Sequence, residues 1–162
     1  MIHLIVGNTG AGKTTYAHKL KSENKGVIFS VDKWNKTLFL PDKKASDGLA
    51  WFLERIDREE EIIMDLVSQL ENAGVDSILD LGFSKKEHRQ KFVAFANENN
   101  LKIKLHFLDV DSDTRLDRVM KRNQEQGATY EFEVSKENFD FMEQWFEIPD
   151  EKEMMGGAVV RQ

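Results

Sequence analysis

The 162-residue chain has no cysteine. That absence excludes a disulfide framework, thiolate zinc, iron–sulfur ligation and a cysteine nucleophile, and it fits a reducing compartment. Only 2 prolines interrupt it. With 40% hydrophobic residues and 11 Phe, it is too apolar and too poor in breakers for a disordered tail. No apolar run approaches the ~20 residues that span a bilayer. The opening Met1-Ile2-His3-Leu4-Ile5-Val6 lacks the basic stretch and the length of a secretion signal. The chain therefore reads as cytoplasmic. Positive charge is also short: 23 Lys+Arg against 29 Asp+Glu give a net charge of -6, a field that disfavours nucleic acid and anionic membrane as partners.

What is present is one domain's length of alternating strand and helix signals over residues 1–162. Ile2 to Val6 reads as a buried strand, Lys13 to Glu23 as a helix, and Gly26 to Val31 as a second strand. Asp32 to Ala45 carries Pro41 and scattered lysines without periodicity and is expected to be an irregular loop. From Ser46 to Asn72, apolar residues recur at intervals of three, four or seven, which predicts one long amphipathic helix or two broken ones. Arg58-Glu59-Glu60-Glu61 is expected on its solvated face.

A third strand is expected at Ser77 to Leu81, followed by a helix opened by a capping box at Ser84-Lys85-Lys86-Glu87. Ile103 to Val110 reads as strand four. Asp111 or Ser112 caps a helix to about Asn123, Ser135 opens another, and Ala158-Val159-Val160 forms a last strand. Phe139, Phe141, Met142, Trp145 and Phe146 are expected to pack against the sheet, and Trp34 either stacks on a ligand or anchors its loop. The predicted class is α/β: a three-layer α/β/α fold with a mostly parallel sheet of roughly five strands. Residues of about 111–135 form a lid candidate.

Gly7-Asn8-Thr9-Gly10-Ala11-Gly12-Lys13-Thr14 matches G-x-x-x-x-G-K-[ST] between the first strand and first helix. Backbone N–H groups that curl around phosphates leave no room for side chains at the glycines, and the helix N-terminus favours the same negative charge. Lys13 can reach the β- and γ-phosphates, Thr14 offers a hydroxyl to Mg²⁺, and Thr15 can hold the α-phosphate. ATP and Mg²⁺ are the ligands this pattern implies.

In such sheets ligands gather at the carboxyl ends of the strands, and two acids are predicted there. Asp32 is placed to orient or deprotonate an acceptor hydroxyl, or else to cap the loop that follows. Asp80 can hold Mg²⁺ through water, or serve as a turn residue. Asp109 and Asp111 are competitors, each expected to cap the next helix. Arg115, Arg118 and Arg122 at i, i+3 and i+7 share one helical face, where they can bind nucleotide phosphates and offset charge on a transferring phosphoryl group. Arg118 and Arg122 are the catalytic candidates, and Arg115 joins the nucleotide-binding set. His3, His18, His88 and His106 sit on different elements with no spacing suited to a metal.

With these residues in view, the chain resembles the small P-loop kinase-like ATP-binding proteins of the AAA-domain type, related to polynucleotide 5′-kinase, zeta toxin and chloramphenicol phosphotransferase. The resemblance rests on Gly7 to Thr14, Val31-Asp32, Leu79-Asp80-Leu81-Gly82-Phe83, Leu108-Asp109-Val110 with Arg115, Arg118 and Arg122-Asn123, and Phe146-Glu147-Ile148-Pro149. It implies that Asp32 activates the acceptor and that the arginines lie on the lid helix. Polynucleotide kinases tend to carry an arginine three residues after that acid. Here Asn35 stands in that place, which counts against a polynucleotide acceptor. No N-K-x-D guanine-reading segment occurs, so ATP is favoured over GTP. The expectation is transfer of the γ-phosphate of Mg·ATP to a hydroxyl of a small molecule. The rivals are an ATP-binding switch or slow ATPase acting through a protein partner, and a nucleic-acid 5′-kinase.

Overall fold

A computed structural model describes residues 1–127, 130 and 133–161. Its centre is a five-stranded sheet of β1 (Ile2–Val6), β2 (Gly26–Ser30), β3 (Asp76–Asp80), β4 (Ile103–Asp109) and β5 (Ala158–Arg161), in the order β2-β3-β1-β4-β5. Every pairing is parallel, so all carboxyl ends lie along one edge. The helices are α1 (Lys13–Glu23), α2 (Val31–Trp34), α3 (Leu49–Asn72), α4 (Lys86–Glu98), α5 (Ser112–Glu125) and α6 (Lys136–Trp145). No described helix is long and apolar enough to cross a membrane.

Strand alternation divides the core between two faces. Ile2, Leu4 and Val6 join Phe29, Leu79 and Leu105 against Ile63 and Val67 of α3 and Phe92 and Ala96 of α4. Ile5, Ile78 and Leu108 face Ala17 and Leu20 of α1. A third, small cluster of Val119, Val134 and Phe139 joins α5 to α6. Fully burying a side chain such as Phe92 stabilises the fold by about 2–3 kcal/mol.

Several expectations give way to packing. The stretch after β2 is helical, not irregular: α2 runs into a π turn at Asn35–Phe39 and a 3₁₀ turn at Leu40–Asp42. The extra residue per π turn dephases the 3.6-residue pattern, and Pro41 falls at the start of the 3₁₀ turn, where its missing N–H costs no bond. Trp34 anchors this segment edge-on against Phe29, 6.0 Å between ring centres. The long helix is unbroken over 24 residues.

Glu59 and Glu60 are buried rather than solvated. Glu60 accepts from His88 Nε2 at 2.5 Å and from Lys91 Nζ at 2.7 Å, both on α4. Nor does the Ser84 capping box form. α4 begins at Lys86 without a side-chain cap from its own turn, and the Glu147 carboxylate takes the Lys86 N–H instead at 2.8 Å. A charged acceptor brought in from the chain's far end outcompetes a local serine. The aromatic residues after Ser135 also divide. Phe146 stacks on Phe107 of β4 and Phe139 is buried, whereas Phe141 and Trp145 are exposed and stack on one another, 5.6 Å between centres.

Sheet register brings together two histidines that the sequence placed on separate elements. Asp76 accepts from His3 Nε2 (3.2 Å), so His3 Nδ1 is left to accept from His106 Nε2 (2.9 Å), and His106 Nδ1 to accept from the Tyr16 hydroxyl (3.0 Å). Burial, with His3 and Lys104 nearby, pushes His106 down to about 4 and keeps it neutral.

Candidate active site

A cleft of about 530 Å³ opens at the carboxyl edge of the sheet. Its floor is the loop between β1 and α1. At Gly10, φ is +81° and an added Cβ would lie 2.5 Å from the Arg115 carbonyl oxygen. Only glycine fits there without displacing backbone. Gly12, at φ +89°, serves as the N-cap of α1 and offers no side-chain cap, so the first-turn N–H groups remain available to an anion. Within the loop, Ala11 N–H donates to the Asn8 carbonyl at 3.1 Å.

Lys13 lies back over this loop, its Nζ donating to the Gly7 carbonyl at 3.0 Å and to that of Asn8 at 3.4 Å. Thr14 Oγ1 donates to Asp80 Oδ2 at 2.9 Å. This bond ties the start of α1 to the end of β3. Thr15, Gly82 and Ser84 also line the cleft. Asp32 sits in the first turn of α2, two residues past the end of β2, and lines the same cleft. The register that pairs Ser30, the last residue of β2, with Asp80 explains how the acid just past the edge strand comes to line the same cleft as the one on its neighbour.

The opposite wall belongs to α5 and α6. Arg118 and Arg122 line it with Val119, Val134, Asn138 and Met142, and Arg122 Nε is buried with no hydrogen-bond partner among the described residues. Arg115, expected among the nucleotide-binding residues, turns under the loop instead. Its guanidinium forks onto Glu143 at 2.6 and 2.8 Å and donates to the Thr9 and Val110 carbonyls at 3.2 and 2.9 Å. A residue three positions from Arg118 shares its side of the helix without sharing its depth. Arg115 is 6% exposed, and a buried guanidinium needs a carboxylate.

Glu143 is a residue the sequence reading missed. Besides Arg115 it accepts from Asn8 Nδ2 at 2.5 Å and Ser112 Oγ at 3.1 Å, while the Asn8 Oδ1 accepts the Thr9 N–H at 2.7 Å. The Arg115 guanidinium holds the Glu143 carboxyl below its usual range. One carboxylate thus links the phosphate loop, α5 and α6. Its only signal in sequence is its place four residues after Phe139, on the inner face of an amphipathic helix.

Asp111 caps α5 through the Thr114 N–H at 2.9 Å, as expected, whereas Asp109 meets Arg161 at 3.5 Å and caps nothing. The base of the lid candidate is clasped by Asn123, whose side chain bonds the Val134 carbonyl and N–H at 2.8 and 3.2 Å. Residues 128, 129, 131 and 132 of that candidate lie outside the described residues.

Solved structures share this architecture. Kti12 of Chaetomium thermophilum, in complex with ADP-AlF3, superposes with a TM-score of 0.70 at 13% identity over 99% of this chain and 89% of that one. A putative kinase from Chloroflexus aurantiacus J-10-fl gives 0.72 at 15% identity, covering 99% and 83%. A gluconokinase from Sinorhizobium meliloti 1021 gives 0.61 at 11%, covering 98% and 81%. No curated protein matches the sequence. At identities this low, the superpositions show a shared fold. The family model for an AAA domain matches residues 2–149, nearly the whole chain, and the protein belongs to that family.

Proposed function

We propose that the protein binds Mg·ATP in this cleft and transfers the γ-phosphate to a hydroxyl of a small molecule. The observation that carries the reading is the convergence of Lys13, Thr14, Asp80, Asp32, Arg118 and Arg122 on one cavity. The Kti12 structure with ADP-AlF3 and the gluconokinase support the same direction. Gly7 to Thr15 would cradle the phosphates. Thr14 and Asp80, an all-oxygen pair joined at 2.9 Å, suit Mg²⁺ and would hold it. Bound there, the ion neutralises charge shared by the β- and γ-phosphates.

In this mechanism Lys13 exchanges the Gly7 and Asn8 carbonyls for phosphate oxygens. The acceptor hydroxyl donates to Asp32, which takes its proton as the oxygen attacks the γ-phosphorus. The bond to the β–γ bridging oxygen breaks and ADP leaves. Arg118 and Arg122 stabilise the charge spread over the transferring group. Arg115 acts from below, by fixing the loop to α5.

The test is incubation with γ-labelled Mg·ATP and a pool of metabolites. A labelled metabolite is expected. Asp32→Asn should retain nucleotide-dependent stabilisation and lose transfer. Unchanged transfer in that variant would remove Asp32 from the role of base. A second reading, an ATP-binding switch acting through a protein partner, is favoured by Leu49, Leu53 and Ile62 of α3, which are 64%, 52% and 57% exposed. Under it, the label would appear only as inorganic phosphate.

A further inference from the structure

Near Asp32 lies a second carboxyl group, on α3. Glu59 is 3% exposed, and neither of its oxygens has a hydrogen-bond partner among the described residues. The adjacent Glu60 is equally buried but fully engaged by His88 and Lys91. Helical spacing puts Glu59 on the side of Ile56 and Ile63, which belong to the cluster that includes Val31 and Trp34 on either side of Asp32. Asn35, one turn beyond Asp32, is also buried with its Oδ1 unpartnered.

Near Glu59, α2 contributes Asp32, and α3 itself contributes Glu60; Lys33 of α2 and Lys36 of the π turn that follows stand on the same segment as Asp32. α4 brings His88 and Lys91, both bound to Glu60, with Asp57 3.5 Å from Lys91. β3 turns Leu79 toward this layer. Among the described residues no donor reaches either Glu59 oxygen, and a buried carboxylate without donors is strongly disfavoured. Burial first, then Glu60 and Asp32, push it up from 4.5 to about 7.

We propose that Glu59 is a positioning residue for Asp32: as a neutral acid it adds no negative charge beside Asp32, and when it ionises the two carboxylates repel and turnover falls. This rests on the reading of Asp32 as the base. Glu59 is not among the residues that line the cleft; it acts through Asp32.

Two measurements test it on the full chain. The first is Mg·ATP turnover, read as ADP release, from about pH 5.5 to about 9. Wild type should show an alkaline limb with its midpoint near 7. Glu59→Gln, which mimics the neutral acid, should lack that limb and exceed wild type about tenfold at the alkaline end. Its nucleotide-dependent stabilisation should be unchanged. Should the glutamine variant not fold, Glu59→Met makes the same prediction.

The second measurement is carboxyl ¹³C NMR titration, which needs no activity. Glu59 should titrate near 7 in wild type, and its midpoint should drop by about half a unit or more in Asp32→Asn, where one negative neighbour is gone. Titration of Glu59 in the ordinary carboxylate range, or a Glu59→Gln profile that keeps the alkaline limb, overturns the proposal. If Glu59 senses Asp32 by NMR while Asp32→Asn turns over normally, the base assignment fails and the role given to Glu59 fails with it. If Asp32→Asn is inactive and Glu59 is indifferent to it, the base assignment survives alone.

Discussion

The two ends of the cleft are built on opposite terms. At the phosphate end, polar side chains are tied down: Lys13 to the Gly7 and Asn8 carbonyls, Thr14 to Asp80, Arg115 to Glu143. At the other end, proposed for the acceptor, Asn35 Oδ1 and both oxygens of Glu59 are buried with no hydrogen-bond partner among the described residues. On the proposed reading, the phosphate end is a preorganised receptor for a ligand of fixed shape. The acceptor end stores an electrostatic imbalance, the kind of local conflict that folds tolerate where function requires it.

Breaking the phosphate end should have the largest effect. Lys13→Ala is expected to abolish the ATP-dependent rise in melting temperature and to lower turnover about a thousandfold. Equal stabilisation of variant and wild type by nucleotide would show that the loop holds its cargo without the lysine. Next comes Glu143→Ala, which leaves the Arg115 guanidinium buried without its carboxylate. A loss of about 2–3 kcal/mol in denaturant unfolding is expected, together with weaker nucleotide binding by calorimetry. Loss of stability with affinity intact would show that the Arg115–Glu143 pair does not organise the loop.

At the acceptor end the sign reverses. Glu59 has its midpoint raised from 4.5 to about 7 on folding, so the native state binds more protons than the unfolded state between those values. Stability therefore declines as pH rises through that window. Glu59→Gln should melt a few degrees higher than wild type at about pH 8 and nearly level with it at about pH 5. A variant less stable than wild type at the higher pH would refute the imbalance.

The smallest effect lies remote from both ends. His106 falls from 6.5 to about 4 on folding, so the unfolded state binds the extra proton between those values and stability drops as pH falls through them. His106→Gln should flatten this slope in thermal melts, and a slope unchanged by the substitution would place its origin elsewhere.

Legibility followed the same division. Strand ends, glycine spacing and the Lys13–Thr14 pair are local properties, readable because the loop's chemistry demands those residues at that spacing. The five parallel strands followed from alternation alone. The charge run 58–61 misled because burial of Glu60 depends on His88 and Lys91, 28 and 31 positions away. The cap of α4 misled in the same way, since its carboxylate arrives from Glu147. Arg115 and Arg118 are indistinguishable in sequence. Only the carboxylate on α6 separates a structural guanidinium from one that faces the cavity.

The close approach of Gly10 to the Arg115 carbonyl also bears on motion. With so little clearance between them, the glycine bend and the helix carrying Arg118 and Arg122 behave as meshed gears. On the proposed reading, a bend that settles around a triphosphate would push on that helix, and cargo arrival would set arginine placement.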